Sequence, residues 1–527
     1  MLHIVWFKRD LRAHDHTPLV AAAHAAAADG HPVMPLYIHE PAVMRSPDFA
    51  TQHLGFINES LQCLDSALRA LGSPLYTRLG EALEVLRELH RIHGIAGLWS
   101  HEETGNAVTF ARDRQVGAWA AAHGIVWREF AQTGVVRRLK DRDRWSAHWM
   151  RRMTAPLLPA PAALRAAPAR LAAGALPEAR ELGLAALPHH APDKPRRQRG
   201  GRTAAEGLLR SFLEDRAADY RFAMSSPLTA AHACSRLSPH FAFGTLSIRE
   251  AAQATWKRRS ALLAMSDAVR PQGALAGLKS FESRLHWHCH FMQKLESEPA
   301  IEFGNMHRGF DGLRDRSAPG GVGGARLQAW SRGETGYPMI DAAMRMLAAS
   351  GWINFRMRAM LVSFAAYQLW LDWREPALVL AREFLDYEPG IHYSQMQMQS
   401  GVTGINAIRM YNPVKQAMDH DPQGRFVRRW LPALARVPHA YIFAPWSMPV
   451  DLQRRVGCTI GTDYPAPIVD NASAMREARN RIHAVRAEPE VRREAQAVYR
   501  KHGSRNPARE GTPRASARAP DRNLQLF

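Results

Sequence analysis

Four short β-rich runs, "HIVWF" (3–7), "VMPLYIH" (33–39), "IAGLWSH" (95–101) and "IVWREF" (125–130), alternate with Ala- and Leu-rich stretches long enough for helices. Strands separated by helices pair in parallel, because each connection must cross over the sheet. Near-continuous apolar strands of this kind are covered on both faces. Residues 1–130 are therefore expected to form an α/β domain with a parallel, Rossmann-like sheet. Neither GxGxxG nor GxxxxGKS/T occurs in this part, so it carries no phosphate-binding fingerprint of those two kinds.

At 527 residues the chain exceeds a single domain. Residues 131–202 include "APLLPAPAALRAAPARLAAG" (155–174) and "PDKPRRQRGGR" (192–202), and read as a long connector. Residues 203–486 are helical in pattern and form a larger all-α domain. Residues 487–527 read as a basic tail: from Arg500 onward it has seven Lys/Arg, two acids and no core-forming pattern, and is expected to be disordered.

Cysteines at 63, 234, 289 and 458 form no CxxC pair, which fits a reducing compartment and no disulfide framework. The start, "MLHIVWFKRD", turns charged too soon for a signal peptide, and no apolar run reaches membrane-spanning length. A cytoplasmic protein with no membrane association is expected. Lys and Arg number 69 against 49 acids, a net charge of +20. Most of that excess lies outside the tail, so a polyanionic partner is favoured.

The stretch "ESRLHWHCHFMQ" (282–293) sets His286, His288 and His290 with Cys289 inside five positions, which invites a metal reading. On a strand the three histidines would share one side. The apolar residues Leu278, Phe281, Leu285, Phe291, Met292 and Leu295 recur at helical spacing instead. At about 100° per residue only His286 and His290 then share a face. No HExxH pattern occurs and Cys289 lacks a partner cysteine nearby, so no metal is assigned. "SRLSPH" (235–240) offers Ser235 and Ser238 as helix caps beside Arg236, a setting suited to a diphosphate. "GWINFRMRAM" (351–360) sets Arg356 and Arg358 among apolar residues, where a guanidinium needs an anionic partner. That partner is a phosphate, a ring that becomes anionic, or a carboxylate such as Asp386 in "FLDYEP".

"VWFKRDLRAHDHTPL" (5–19), "SRLSPHFAFGTLSIRE" (235–250), "LQAWSRGETGYPMIDAAMRML" (327–347), "GWINFRMR" (351–358), "LDWREP" (371–376) and "YNPVKQAMDHDPQGRFVRRWLPAL" (411–434) follow in the order and spacing of the photolyase/cryptochrome flavoproteins, which the chain resembles over nearly its whole length. The resemblance implies FAD held in a bent shape by the helical domain. In repair members, photoexcited reduced flavin gives an electron to a pyrimidine dimer extruded from DNA; the ring splits and the electron returns. Tyr220 and Ser235-Arg236-Leu237-Ser238 match the contacts to the FAD phosphates. Phe281, Trp352, Arg356, Arg358 and Asp386 match positions around adenine and isoalloxazine, with Arg358 and Asp386 as an ion pair. Arg284, Phe355, Glu388 and His392 are counted with this cofactor-binding set. Trp287 matches the aromatic wall on which the lesion stacks. With Arg284, Asn354 and Trp373 it forms the implied catalytic set, and His288 and Cys289 stand where Arg and Glu are often found.

The departures are equally specific. "GIHYSQMQMQSG" (390–401) replaces the usual GGWQW region, so a second pocket aromatic and the flavin-proximal tryptophan are missing. Trp373 alone matches the customary tryptophan relay. Trp370, three residues earlier, is expected on the same helix, and Tyr393 stands where the proximal tryptophan is usually found. Arg284 aligns with the pocket carboxylate, although Glu282 is close. Asn354-Phe355 replaces a tandem His-His or His-Asn, and His392 falls near the asparagine that faces N5. Two functions follow: a light-dependent lyase acting as a monomer on UV-damaged DNA, or a cryptochrome-type blue-light receptor. The resemblance also leaves room for an antenna chromophore of folate or deazaflavin type in the N-terminal domain, where "SHEETGN" (100–106) lies.

Overall fold

The structure, a computed structural model, describes residues 1–168, 171–184, 192–317 and 320–504. Strands β1 (Leu2–Phe7), β2 (Val33–His39), β3 (Tyr76–Leu79), β4 (Ile95–His101) and β5 (Trp127–Phe130) form one parallel sheet in the order β3-β2-β1-β4-β5. Val5 pairs with Pro35 on one side and Trp99 on the other. The crossovers are the helices Thr17–Asp29, Thr51–Ala70, Ala82–His93 and Ala107–Ala122. Every residue of β1 and β2 is buried, as befits strands covered on both faces. Strand order reverses between β1 and β4, and a crevice opens at their carboxyl ends.

From Arg202 onward the described chain is helical and irregular, with one isolated bridge at Ile460–Tyr464. Its axis is the helix Ala274–Ser297, which confirms the helical spacing of the histidine-rich stretch. It packs between the helices Ala217–Ala223 and Pro389–Ser400. Two glycines allow the approach. A Cβ on Gly277 would lie 1.7 Å from the Ala217 carbonyl oxygen, and one on Gly390 would lie 2.7 Å from the Met292 Cα.

Three segments differ from the sequence expectation, the first being β3 (Tyr76–Leu79), which lies outside the four β-rich runs. The 131–202 connector contains the helix Trp145–Thr154, which buries Trp145 and Trp149. It is also bonded to the axial helix: Val136 N donates to Gln293 Oε1 (2.7 Å) and Gln293 Nε2 donates to the Val136 carbonyl (3.0 Å). The expected tail begins as the helix Pro489–His502. Val491 and Val498 give that helix one narrow buried stripe, which its many charges mask in the sequence. Residues 505–527, the rest of the expected tail, lie outside the described residues.

The charged stretch after β1 joins the two domains. Arg9 Nε donates to the Ala242 carbonyl (2.8 Å), and Arg12 donates to that of Gly244 (2.9 Å). Asp15, buried, accepts from Ser247 Oγ (2.6 Å) and from Arg249 (3.1 Å from Nε). Burial pushes the Asp15 carboxyl up, but the Arg249 and Ser247 bonds outweigh it and hold it below its ordinary value. A depressed carboxyl stabilises the fold above its unfolded pKa and loses that contribution as pH falls through its folded value. Asp15→Ala is expected to cost about 3 kcal/mol at neutral pH, since it strands Arg249. Denaturant unfolding of both proteins should show the gap shrinking as pH drops below about 4.

Candidate functional site

A cavity of about 400 Å³ opens in the helical domain beside the axial helix. Tyr220, Ser235, Arg236, Ser238, Phe281, Arg284, Trp287, Trp352, Asn354, Phe355, Arg356, Arg358, Asp386 and Glu388 all line it, although they span 169 positions of the chain from first to last. Three of the expected residues do not. Leu237 is fully buried in the core beneath the cavity. His392 lies on the far face of the Pro389–Ser400 helix, where its Nε2 bonds the Ala377 carbonyl (2.9 Å) and Tyr387 and Tyr393 flank its ring. Trp373 sits deeper, its indole donating to Asn305 Oδ1 (2.8 Å).

The cavity's polarity is set by its arginines. Arg358 makes a bidentate pair with Asp386, both bonds 2.9 Å, and donates from Nε to the Ile353 carbonyl. Burial raises the Asp386 carboxyl, and the Arg358 guanidinium more than offsets this, so Asp386 stays ionised. Arg236 has a left-handed backbone (φ 62°), and its guanidinium lies 3.9 Å from the Trp352 ring centroid. Burial draws Arg236 down to about 10, and its hydrogen bonds go to Gln198 Oε1 (3.0 Å) and the Ala231 carbonyl (3.5 Å). The Nε of Arg356 is buried with no hydrogen-bond partner. Ser235 and Ser238 do not cap: the helix Ser238–Ala242 begins after Leu237 with no side-chain cap bond. Ser238 instead helps to lower Asp386.

The opposite wall is aromatic. Trp287 lies 4.9 Å from His290 and 5.6 Å from Phe291, centroid to centroid. His288 and His290 line the cavity, while His286 packs against Trp145 and Trp149. Cys289 points the other way and accepts from Gly134 N (3.3 Å). Lys294, Met398, Tyr499 and His502 complete this end and were absent from the sequence expectation. Tyr499 and His502 fell in the supposed tail; Lys294, seven residues after Trp287, was legible only as a helical repeat of that face. Gln198, which holds Arg236, belongs to the supposed connector.

Trp370 departs from expectation. It occupies a left-handed turn (φ 56°) between two helices, with its ring against Arg314 and Arg481, so it shares no helix with Trp373. Tyr393 does approach Trp373, ring centroids 6.4 Å apart. Its hydroxyl lies 3.2 Å from that of Tyr387, which donates to Asp48 (2.6 Å).

In the N-terminal domain, Asp10, His16 and His101 are the one group of His and acidic side chains with metal-like spacing among the described residues. Burial pushes both rings toward the neutral form, His101 to about 3, and each bonds the Asp10 carboxylate at 2.7–2.8 Å. These bonds account for the cluster as an architectural clamp. A second cavity, about 100 Å³, lies at the crevice beside β1 and β4 and is lined by Lys8, Glu40, Asp48, Glu103, Asn106 and Arg112.

A family model described as the FAD binding domain of DNA photolyase matches residues 281–484, and one described as DNA photolyase matches residues 3–141. The deoxyribodipyrimidine photo-lyase of Streptomyces griseus is 32% identical, covering 92% of this chain and 98% of its own. The cryptochrome DASH of Gloeobacter violaceus is 30% identical, covering 90% and 95%. The crystal structure of a bacterial class III photolyase from Agrobacterium tumefaciens superposes with a TM-score of 0.76 at 26% identity, covering 92% of this chain and 98% of its own.

Asp386→Asn should preserve shape while leaving Arg358 without its counter-charge. The expected loss is about 3 kcal/mol of stability at pH 7, measured by thermal or denaturant unfolding.

Proposed function

The chain belongs to the DNA photolyase family of photolyases and cryptochromes, and from that premise we propose that it is a light-dependent lyase that splits pyrimidine dimers in UV-damaged DNA. The observation that carries this reading is one cavity with two chemically different walls. One holds three arginines, of which a carboxylate neutralises only Arg358; the other is built on Trp287.

The residues present fit FAD. The partnerless Nε of Arg356 and the depressed Arg236 suit the anionic groups of a dinucleotide. Arg236, Ser235, Ser238 and Tyr220 would hold the diphosphate end. Arg358, with Asp386 fixing its orientation, would sit at the ring end, where a positive charge stabilises an anionic reduced ring. Phe281 and Trp352 would supply apolar walls. Bound, reduced and excited by blue light, FAD supplies the electron that opens the cyclobutane ring. Trp287 gives an extruded dimer a stacking face, and Arg284 and Asn354 line the same space. Asn354 is held by its Nδ2, which donates to the Met224 and Ser225 carbonyls (3.1 and 2.9 Å). Glu388, which burial raises to about 7 despite Arg9, can carry a proton near neutrality.

The domains are read as 1–130 α/β, 131–202 structured connector and 203–502 helical. No helix among the described residues is long and apolar enough to cross a membrane. The site that would take an antenna of folate or deazaflavin type is the second cavity, where Tyr37, Phe49 and Phe243 supply apolar lining and Arg112 pairs with Glu40 and Glu103.

The lyase and receptor readings separate at Trp287. Trp287→Ala should remove about 1–3 kcal/mol of the preference for dimer-containing over undamaged duplex, measured by fluorescence anisotropy. Equal loss on both duplexes would exclude a stacking role. For reduction of the cofactor, Trp373 with Tyr393 forms the route supported by ring spacing. Trp373→Phe should slow photoreduction roughly tenfold, equal to ~1.4 kcal/mol of barrier, while flavin content is unchanged. Tyr393→Phe should have the smaller effect.

A further inference from the structure

Lys294 is a buried lysine with no anionic partner. It is 6% exposed and lines the cavity two turns along the axial helix from Trp287, with Phe291 between them. Positions 287, 291 and 294 share one helical face. Its ammonium forms no hydrogen bond or ion pair with any described residue and lies 5.0 Å from the Phe291 ring centroid. Such a group is costly to bury unless an anion meets it.

Its surroundings select the sign of the ligand. Arg142 from the 131–144 stretch bonds His290 Nδ1, and His502 closes the cavity from the Pro489–His502 helix. The nearby acids are engaged: Glu298 by His502 (2.6 Å) and Lys501 (2.8 Å), and Glu388 by Arg9 (3.3 Å). Tyr499 adds a phenol and Arg409 a further cation to the cavity lining. The helices packed on either side contribute Tyr220 and, turned away, His392 and Tyr393. Two rings followed by an unneutralised cation match, in order, two neighbouring nucleobases of one strand and the phosphate that links them.

We propose that Lys294 receives the phosphodiester of the extruded dinucleotide, taking up a proton as the nucleotide docks. This deepens the reading of the cavity as a lesion site and rests on it. The linkage follows from burial. In the empty cavity burial, reinforced by Arg142, draws the amine down to about 7. A phosphate beside it raises the amine again. Below pH 7 the amine is charged before binding and affinity is level. Above pH 7 each binding event must import a proton, so affinity falls by up to about tenfold per pH unit. His290 is held well below its ordinary value and stays neutral across that window, so it does not contribute.

The test is dark binding of flavin-loaded protein to dimer-containing and undamaged duplexes from pH 6.5 to 9, with inorganic phosphate as competitor. Wild type should lose roughly tenfold or more in affinity for the dimer duplex between pH 7 and 8.5, and undamaged duplex should show no such slope. Lys294→Met should bind the dimer more weakly at pH 6.5 and show no slope. Lys294→Arg, whose guanidinium keeps its proton, should hold its pH 6.5 affinity to pH 9. It decides the matter if the Met variant loses flavin. A level wild-type profile, or the same slope in both variants, would overturn the role of Lys294 while leaving the lesion site intact. Failure of wild type to prefer the dimer at any pH would instead overturn the lesion site itself. Competition by inorganic phosphate that matches the loss of dimer binding would make Lys294 a site for free phosphate and overturn the assignment to the strand.

Discussion

Buried positive charge is the constraint around which this chain is arranged. A guanidinium or ammonium taken out of water must be met by carbonyls, a carboxylate or a ligand. At the domain junction the protein meets each cation itself: both terminal nitrogens of Arg12 have carbonyls, of Gly244 and Asp15, leaving only its Nε without a bond, and Arg249 has the Asp15 carboxylate. In the cavity it supplies them selectively. Arg358 is neutralised by Asp386, whereas Arg236 has only neutral acceptors, Arg356 Nε has none, and Lys294 faces an aromatic ring. Charge that is matched internally is architecture; charge left for a ligand marks the site.

Geometry turns that electrostatic pattern into a usable space. The axial helix reaches the cavity with Trp287, Phe291 and Lys294 while its other face is locked to the connector through Gln293 and Cys289. Gly277 and Gly390 let the neighbouring helices come close enough to hold it. The arginine wall is fixed from the opposite side by the strained Arg236 backbone and by Gln198. Since Arg9 and Arg12 tie β1 to the loop 242–244 that follows the short helix Ser238–Ala242, disturbance at the domain junction would reach the arginine wall.

Much of this was legible in the sequence, for physical reasons. The parallel sheet followed from apolar strands spaced by helices, and the axial helix from its 3.6-residue repeat. The pairing of Arg358 with Asp386 was implied by the family resemblance, whereas the residues of "GWINFRMRAM" alone left a phosphate, an anionic ring or a carboxylate open as partner. Proximity across the fold was harder. Whether His392 turned toward or away from the cavity depended on the rotation of the Pro389–Ser400 helix, which its evenly mixed sequence does not reveal. Trp370 was misplaced because a left-handed turn breaks the helix that spacing alone suggested. The Pro489–His502 helix was hidden by its charges, and with it the closing wall of the cavity. Gln198 and Lys294 carry no motif; only burial and missing partners distinguish them.

The central claim is that the two walls of the cavity bring reduced FAD and a DNA lesion together. It is tested most directly by illuminating chemically reduced protein with blue light in the presence of oligonucleotides carrying a cyclobutane dimer or a 6-4 photoproduct, and separating the strands by chromatography. The account predicts restored pyrimidines from the cyclobutane dimer in the light and none in the dark. Flavin-loaded, reduced protein that binds the dimer yet restores nothing under illumination would contradict it.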